Sequence, residues 1–88
     1  TNFILSSDKT LKDNIKEIDT SHVDVNWKNF ELKSEPGVKR SGVIAQELEE
    51  NHPEFVRTDK DGLKSVAYID LLIAKIAELE ARLKKAGI

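Results

Sequence analysis

The chain has 88 residues, with 14 Lys+Arg against 16 Asp+Glu, so its formal net charge is −2. This length fits one domain, and a chain this short buries only roughly 60% of its unfolded surface, which favours stabilisation by oligomerisation. The mixed charges give no reason to expect nucleic acid or acidic lipid as a partner, and the sequence has no cysteine, no membrane-spanning apolar run and no signal-peptide pattern.

The first predicted element is a short helical or turn-rich segment. The small polar side chains at 6–8 are typical of a helix N-terminus, where their oxygens accept unpaired backbone N–H groups. Leu11, Ile15 and Ile18 follow at spacings of four and three, which indicates an amphipathic helix or a series of turns. Residues 19–21 end this segment.

Two β-hairpins with a short helix between them are predicted for the middle of the chain. Apolar and polar residues alternate from Val23, a Pro-Gly turn lies at 36–37, and a second strand follows, so we expect a hairpin over about 25–44. Gly42 within that strand indicates a bulge or a close backbone approach. Residues 45–51 contain helix formers ahead of Pro53, and the turn at 59–62 joins a second pair of short strands.

A C-terminal helix over 69–86 is the clearest prediction. Its apolar residues are spaced by three and four, the a/d pattern of a coiled coil: Ile69, Leu72, Ile76, Leu79 and Leu83. Ile73 makes this face broader than a two-stranded seam requires. The pattern favours self-association, and the alternative is an amphipathic helix that packs on its own domain. The predicted fold class is α+β, with short β-hairpins plus helices.

One pair of residues has the chemistry of a nucleophile and its base. The hydroxyl of Ser7 becomes a nucleophile if a neutral amine such as that of Lys12 removes its proton. Spacing alone favours a simpler interpretation, in which Ser7 is a helix cap, Asp8 an acid in the first turn and Lys12 a solvated lysine.

No metal site and no cofactor are predicted. His52 lies among acidic residues, but these acids fall on different helix faces and no second histidine has ligand spacing. His22 is expected to be hydrogen-bonded or at the surface. The acidic turn at 59–62 has part of a calcium-loop pattern without its later ligands, so we expect a hairpin turn there.

The order of several motifs resembles a known family. Residues 7–15 resemble S-D-x-x-L-K-x-N-I, the opening of the C-terminal intramolecular chaperone domain of bacteriophage tail fibres and tailspikes. Residues 25–28 are similar to its aromatic strand, and residues 40–48 to its R-x-G-x-I-A-Q-E motif. Residues 53–56 and 66–72 match its later P-E-x-V and V-x-Y-x-x-L patterns. The resemblance covers nearly the whole chain from Ser7.

The resemblance implies a chaperone that forms a homotrimer and cuts itself free. Such domains align three chains of the upstream fibre stem, promote their folding and are then released by autoproteolysis. Carried over, the cut falls at the Ser6–Ser7 bond, with Ser7 as the nucleophile and Lys12 as the general base. Residues 1–6 would then be the end of the stem, and 7–88 the chaperone domain with its trimerisation helix at 69–86. The precursor would assemble in the host cytoplasm as part of a virion tail fibre.

Two departures from the family pattern leave alternatives open. The hairpin around residues 36–37 is compact where other members carry longer protrusions, so we expect a weaker grip on the stem. Residues before the expected cut are still present, which is expected of an unprocessed or truncated form. Gln46 and Glu47 are interpreted as residues that orient the catalytic pair or the trimer contacts, or else as a surface pair. The rival functions are a permanent, non-enzymatic trimerisation tip and the related chaperone segment of a membrane-bound transcription factor.

Overall fold

The N-terminal part of the chain forms an exposed arm. The structure is a computed structural model that describes residues 5–87, and residues 5–22, here called the arm, are all exposed. One 3₁₀ turn, Lys9–Leu11, is the arm's only regular element. The amphipathic helix predicted through Leu11, Ile15 and Ile18 is therefore wrong, and the turn-rich alternative is what forms. A short helix is marginal in water unless its apolar face packs, and here Leu11 and Ile15 remain 70% and 65% exposed.

The first hairpin pairs β1, Lys28–Phe30, with β2, Arg40–Gly42, in antiparallel register. Asn29 lies opposite Ser41, and the Ser41 hydroxyl donates to the Asn29 side-chain oxygen at 2.8 Å. The hairpin was predicted in the right place but too long. Residues 23–27 alternate in polarity without joining a strand, because the backbone of Val23 bonds to side chains of the C-terminal helix.

Gly42 is the position of close backbone approach that its place in the strand predicted. A Cβ atom built there would overlap the Tyr68 hydroxyl and press on the Phe30 ring. The Val43 backbone N–H donates to that same Tyr68 hydroxyl at 3.0 Å. The first turn of the C-terminal helix is therefore docked on the first hairpin through one tyrosine.

The short helix and second hairpin follow as predicted. Helix α1, Ala45–Asn51, ends just before Pro53, and β3, Val56–Thr58, pairs antiparallel with β4, Lys64–Val66. Asp59 closes the turn between these strands, since its carboxylate accepts the N–H groups of Asp61 and Leu63 at 2.8 and 3.0 Å.

Helix α2, Tyr68–Lys85, begins one residue before the predicted helix and ends one residue before its predicted end. Basic side chains in its last turn oppose the negative end of the helix dipole. Gly87 has a φ of 77°, and its N–H donates to the Lys84 carbonyl at 3.1 Å. A glycine in this left-handed conformation is a common way to end a helix.

The core is small and takes side chains from several elements. Its buried members are Val23, Val43, Leu48, Val56, Leu71 and Ala74. The two hairpins and two helices confirm an α+β fold. Within residues 5–87, neither helix is long and apolar enough to cross a membrane. Residues 1–4 of the predicted stem end lie outside the described residues, as does residue 88 at the end of the predicted chaperone domain.

Candidate functional site

Ser7 and Lys12 meet on the exposed arm. The Lys12 Nζ and the Ser7 Oγ are 2.6 Å apart, which is hydrogen-bond distance. The intervening 3₁₀ turn brings them together, although five residues would not share one face of an α-helix. A protonated amine donates in this pair, whereas a neutral amine accepts the serine proton at the same separation. The arrangement therefore has the geometry that a general base and its nucleophile require.

Asp8 holds this turn in shape. Its Oδ1 accepts from the Thr10 backbone N–H at 2.9 Å and from the Thr10 hydroxyl at 2.8 Å. The Leu11 N–H donates to the Asp8 carbonyl at 3.0 Å, which closes the turn. The hydrogen bonds from Thr10, first from its backbone and then from its hydroxyl, lower the pKa of Asp8. Asp8 thus supports the turn that joins Ser7 to Lys12. Within residues 5–87, its carboxylate forms no hydrogen bond to the Ser7 hydroxyl or to the Lys12 amine.

Asn14 redirects the chain immediately after this turn. Its φ of 54° lies in the left-handed region, and it is the only non-glycine residue with positive φ within residues 5–87. Asparagine adopts this region more readily than most residues because its short side chain bonds locally. In the sequence, the asparagine that follows shortly after the capping pattern at 6–8 is the signal for such a change of direction.

Gln46 and Glu47 lie on α1, apart from the Ser7–Lys12 turn. Glu47 forms an ion pair with Lys28 at 3.5 Å, and Gln46 borders a groove between the two hairpins together with Tyr68. Among residues 5–87, no hydrogen bond joins either side chain to Ser7 or Lys12. Their orienting role remains a prediction.

The apolar stripe of α2 faces away from the core. Ile76 is 62% exposed and Leu72 44% exposed, and the other members of the predicted a/d set are exposed as well: Ile69, Leu79 and Leu83. Ile73 is also exposed and lies beside them. The face that packs on the rest of the domain contains Leu71, Ala74 and Glu78 instead. Packing on its own domain therefore does not account for the stripe.

Glu78 is a buried carboxylate that the sequence analysis missed. It is 3% exposed, and its oxygens accept from Lys75 Nζ at 2.9 Å, His22 Nδ1 at 3.0 Å, the Val23 N–H at 3.1 Å and an Arg82 guanidinium N–H. These bonds, with that from Lys75 the largest, lower the pKa of Glu78 to about 2 against the opposing effect of burial. In the sequence, the spacing of Glu78 from Leu71 and Ala74 is the feature that places all three residues on one face of the helix.

The two histidines have structural partners. His22 bonds to Glu78, whereas Nε2 of His52 accepts the Asp24 backbone N–H at 3.0 Å and its Nδ1 lies 3.2 Å from Glu54. The Asn51 amide adds a bond to the Asp24 carboxylate at 3.1 Å. The described part of the chain contains no cluster of three or more His, Asp or Glu side chains that could hold a metal ion.

These features define a small α+β domain with a serine–lysine turn on an exposed arm and an apolar helix face open to other chains. The sequence model of one peptidase family, described as the chaperone of endosialidase, matches residues 7–57, which is more than half of the chain. The chain belongs to this family of C-terminal chaperone domains of phage tail fibres. Comparisons with curated proteins and with solved structures found no match. The match begins at Ser7 and ends in β3, so α2 and Glu78 lie outside it.

Proposed function

We propose that the chain is an intramolecular chaperone that assembles as a homotrimer through α2, aligns three fibre stems and then cuts itself off at the Ser6–Ser7 bond. The family establishes the chaperone role and its association with a fibre polypeptide. The trimer, the autoproteolysis and the roles of Ser7 and Lys12 are the proposal. The 2.6 Å separation between Lys12 Nζ and Ser7 Oγ is the observation that carries the cleavage step.

Surface area supports assembly. The single chain exposes 7665 Å². A compact monomer of its mass is expected to expose about 5,200 Å², so about 2,500 Å² is in excess. A stable interface needs about 800 Å² from each partner. The Cα radius of gyration is 15.9 Å, against about 12 Å for a compact domain of this length.

The width of the apolar face favours an assembly of more than two chains. A two-stranded coiled coil buries a narrow a/d seam. Here Ile73 lies beside the a/d residues and is exposed with them. A broader apolar stripe suits a bundle in which each helix contacts two neighbours. We therefore expect three α2 helices to pack around one axis.

Assembly of this kind explains how the domain promotes fibre folding. Long β-structured fibres depend on contacts between distant residues and fold slowly with exposed strand edges. A small trimer that forms first brings three stems into register and raises their effective concentration for one another. After cleavage the folded fibre is no longer joined to the chaperone, so dissociation of the chaperone trimer cannot pull the fibre chains apart. The fibre is then held by its unfolding barrier.

The cleavage step uses only the two side chains and water. The neutral amine of Lys12 takes the hydroxyl proton of Ser7 as Oγ attacks the carbonyl carbon of Ser6. The Lys12 ammonium returns that proton to the departing backbone nitrogen of Ser7, which leaves Ser6 joined to Oγ by an ester. Water hydrolyses the ester, so the products are a carboxylate on Ser6 and a free amino group on Ser7.

Both side chains are exposed in the single chain, which suggests how assembly controls the reaction. Water stabilises the charged ammonium, and an ammonium cannot accept the serine proton. Covering the turn by the stem or a neighbouring chain would remove water and favour the neutral amine. We therefore expect cleavage in the assembled precursor of the fibre, in the host cytoplasm, with release of the domain.

The same exposure favours one alternative, a trimerisation tip that stays on the fibre. In that case the Ser7–Lys12 hydrogen bond only closes a turn that Asp8 already stabilises. The chain then has no reaction to perform, and the two side chains are replaceable by others that permit the same turn.

Intact mass measured on a precursor with its natural stem separates the two functions. We expect wild type to split between Ser6 and Ser7, whereas Ser7→Ala and Lys12→Met stay whole. Ser6→Ala is the matched control for the loss of a serine, and Lys9→Met, on the same turn, is the control for the loss of a lysine. Both controls should cut. If every variant stays whole while the stem still assembles, the permanent tip is the correct function.

A further inference from the structure

Glu78 fastens the arm to the C-terminal helix. Oε1 of Glu78 accepts the Val23 backbone N–H at 3.1 Å, and the Val23 carbonyl accepts from Lys75 Nζ at 2.9 Å. Both backbone polar groups of one residue are therefore held by side chains of α2. His22 adds a bond from its Nδ1 to Oε2 of Glu78 at 3.0 Å.

These hydrogen bonds to Val23 mark the point at which the exposed arm joins the packed domain. Every residue in 5–22 is exposed, and Val23, at 5% exposure, is the first buried residue of the described chain. Ser7 and Lys12 both lie on the arm, upstream of this anchor. The placement of their turn relative to the domain therefore depends on how firmly Val23 is held.

The fastening depends on the negative charge of Glu78. Lys75 and Arg82 both donate to its carboxylate from the same helix. Without the negative charge, the two cations would repel each other. A neutral side chain at position 78 would also be a weaker acceptor for the Val23 N–H. Glutamine has nearly the size of glutamate, so Glu78→Gln removes the charge with little change in packing.

We propose that Glu78 is a positioning residue for cleavage at Ser6–Ser7, because it couples α2 to the arm that carries Ser7 and Lys12. The inference rests on the proposed self-cleavage. Helix α2 also carries the apolar face, so three packed helices hold three Val23 anchors at equivalent places around the axis. Each arm then starts from a defined point on the assembled chaperone.

The test compares wild type, Glu78→Gln and Glu80→Gln in the precursor with its natural stem. Glu80 is an exposed glutamate on the same helix, so it is the matched control. Three quantities are measured: the size of the assembly, the rate of cleavage by intact mass, and amide hydrogen exchange at Val23, Leu48 and Leu71. A merely structural role would change exchange at all three amides together.

We expect Glu78→Gln to assemble, to cut at least tenfold more slowly and to lose protection at Val23 alone, while Glu80→Gln behaves as wild type. Cleavage of Glu78→Gln at the wild-type rate would overturn the inference and leave the proposed function standing. A wild-type precursor that stays whole would overturn both. If Glu78→Gln fails to fold, the same measurements are made on Lys75→Met, which removes the donor to the Val23 carbonyl. Slower cleavage with unchanged assembly would support the inference, and wild-type cleavage would overturn it.

Discussion

The two faces of α2 differ in burial: one packs within the domain, and the other, through which we propose assembly, is exposed. One face buries Leu71 and Ala74 in the core, and it also buries Glu78, which accepts a hydrogen bond from the Val23 backbone. The opposite face has more apolar residues and leaves them exposed. Hydrophobic periodicity therefore identified the exposed face of the helix, whereas the buried face includes the charged residue Glu78.

Breaking the exposed face has the largest expected effect. Ile76→Asp places a carboxylate where the proposed trimer buries an isoleucine, and burying an unpaired charge is strongly unfavourable. We expect the assembly to dissociate at micromolar concentration while the circular dichroism of the single domain is retained. Sedimentation velocity measures the dissociation. Glu80→Asp, which keeps a carboxylate on the exposed part of the helix, should assemble as wild type, and an Ile76→Asp chain that stays assembled would contradict the assignment of this face.

Substitution on the buried face should instead lower the stability of the single domain. Leu71 is 0% exposed, and Leu71→Ala removes its packing and leaves a cavity, which costs about 2–5 kcal/mol. Denaturant unfolding should show that loss in the free energy of unfolding. Leu72→Ala, one residue along and 44% exposed, should change the unfolding of the unassembled chain far less. Equal losses in the two variants would show that the faces are not distinct.

The docking of α2 on the first hairpin depends on the missing side chain of Gly42. Gly42→Ala would push against the Tyr68 hydroxyl and the Phe30 ring, and overpacking of this kind costs about 1–3 kcal/mol. Tyr68→Phe alone loses the bond to Val43, worth about 1 kcal/mol. Because the phenylalanine also relieves the overlap, the double variant should lose less stability than the sum of the two, as thermal unfolding would measure. Full additivity would contradict the close approach.

Acid should weaken the buried face before it affects the apolar one. The pKa of Glu78 is lowered from 4.5 to about 2, so the folded state binds a proton less readily than the unfolded state. Its contribution to stability is then complete above pH 4.5 and is lost as the pH falls towards 2. We expect the unfolding free energy of wild type to fall more steeply in this window than that of Glu78→Gln. Parallel curves for the two proteins would contradict the lowered pKa.

Much of this fold follows from local signals. The Pro-Gly turn at 36–37 and the acidic turn at 59–62 each predicted a hairpin, and each hairpin forms there. The three-and-four spacing predicted α2 almost to the residue. Gly42 was predicted to be a bulge or a close approach, and the second of these is observed. In all of these cases the information lies within a few neighbouring residues.

The remainder depends on contacts between distant parts of the chain. The alternation at 23–27 has the period of a strand, but Val23 bonds to Glu78 and Lys75, about fifty residues away, instead of to a second strand. Leu11, Ile15 and Ile18 have helical spacing, but all three remain exposed. Glu78 was overlooked because a search for apolar periodicity passes over a carboxylate. For the site, Ser7 and Lys12 were predicted together from family resemblance, since their spacing alone does not imply contact.

Native mass spectrometry of the precursor with its natural stem tests the central claim most directly, because one spectrum reports both stoichiometry and cleavage. We predict a species of three chains whose chaperone parts begin at Ser7, accompanied by stems that end at Ser6. With Ser7→Ala, the same three-chain species should appear with every chain whole. A wild-type spectrum of single, uncut chains would contradict both the assembly through α2 and the chemistry of the Ser7–Lys12 turn.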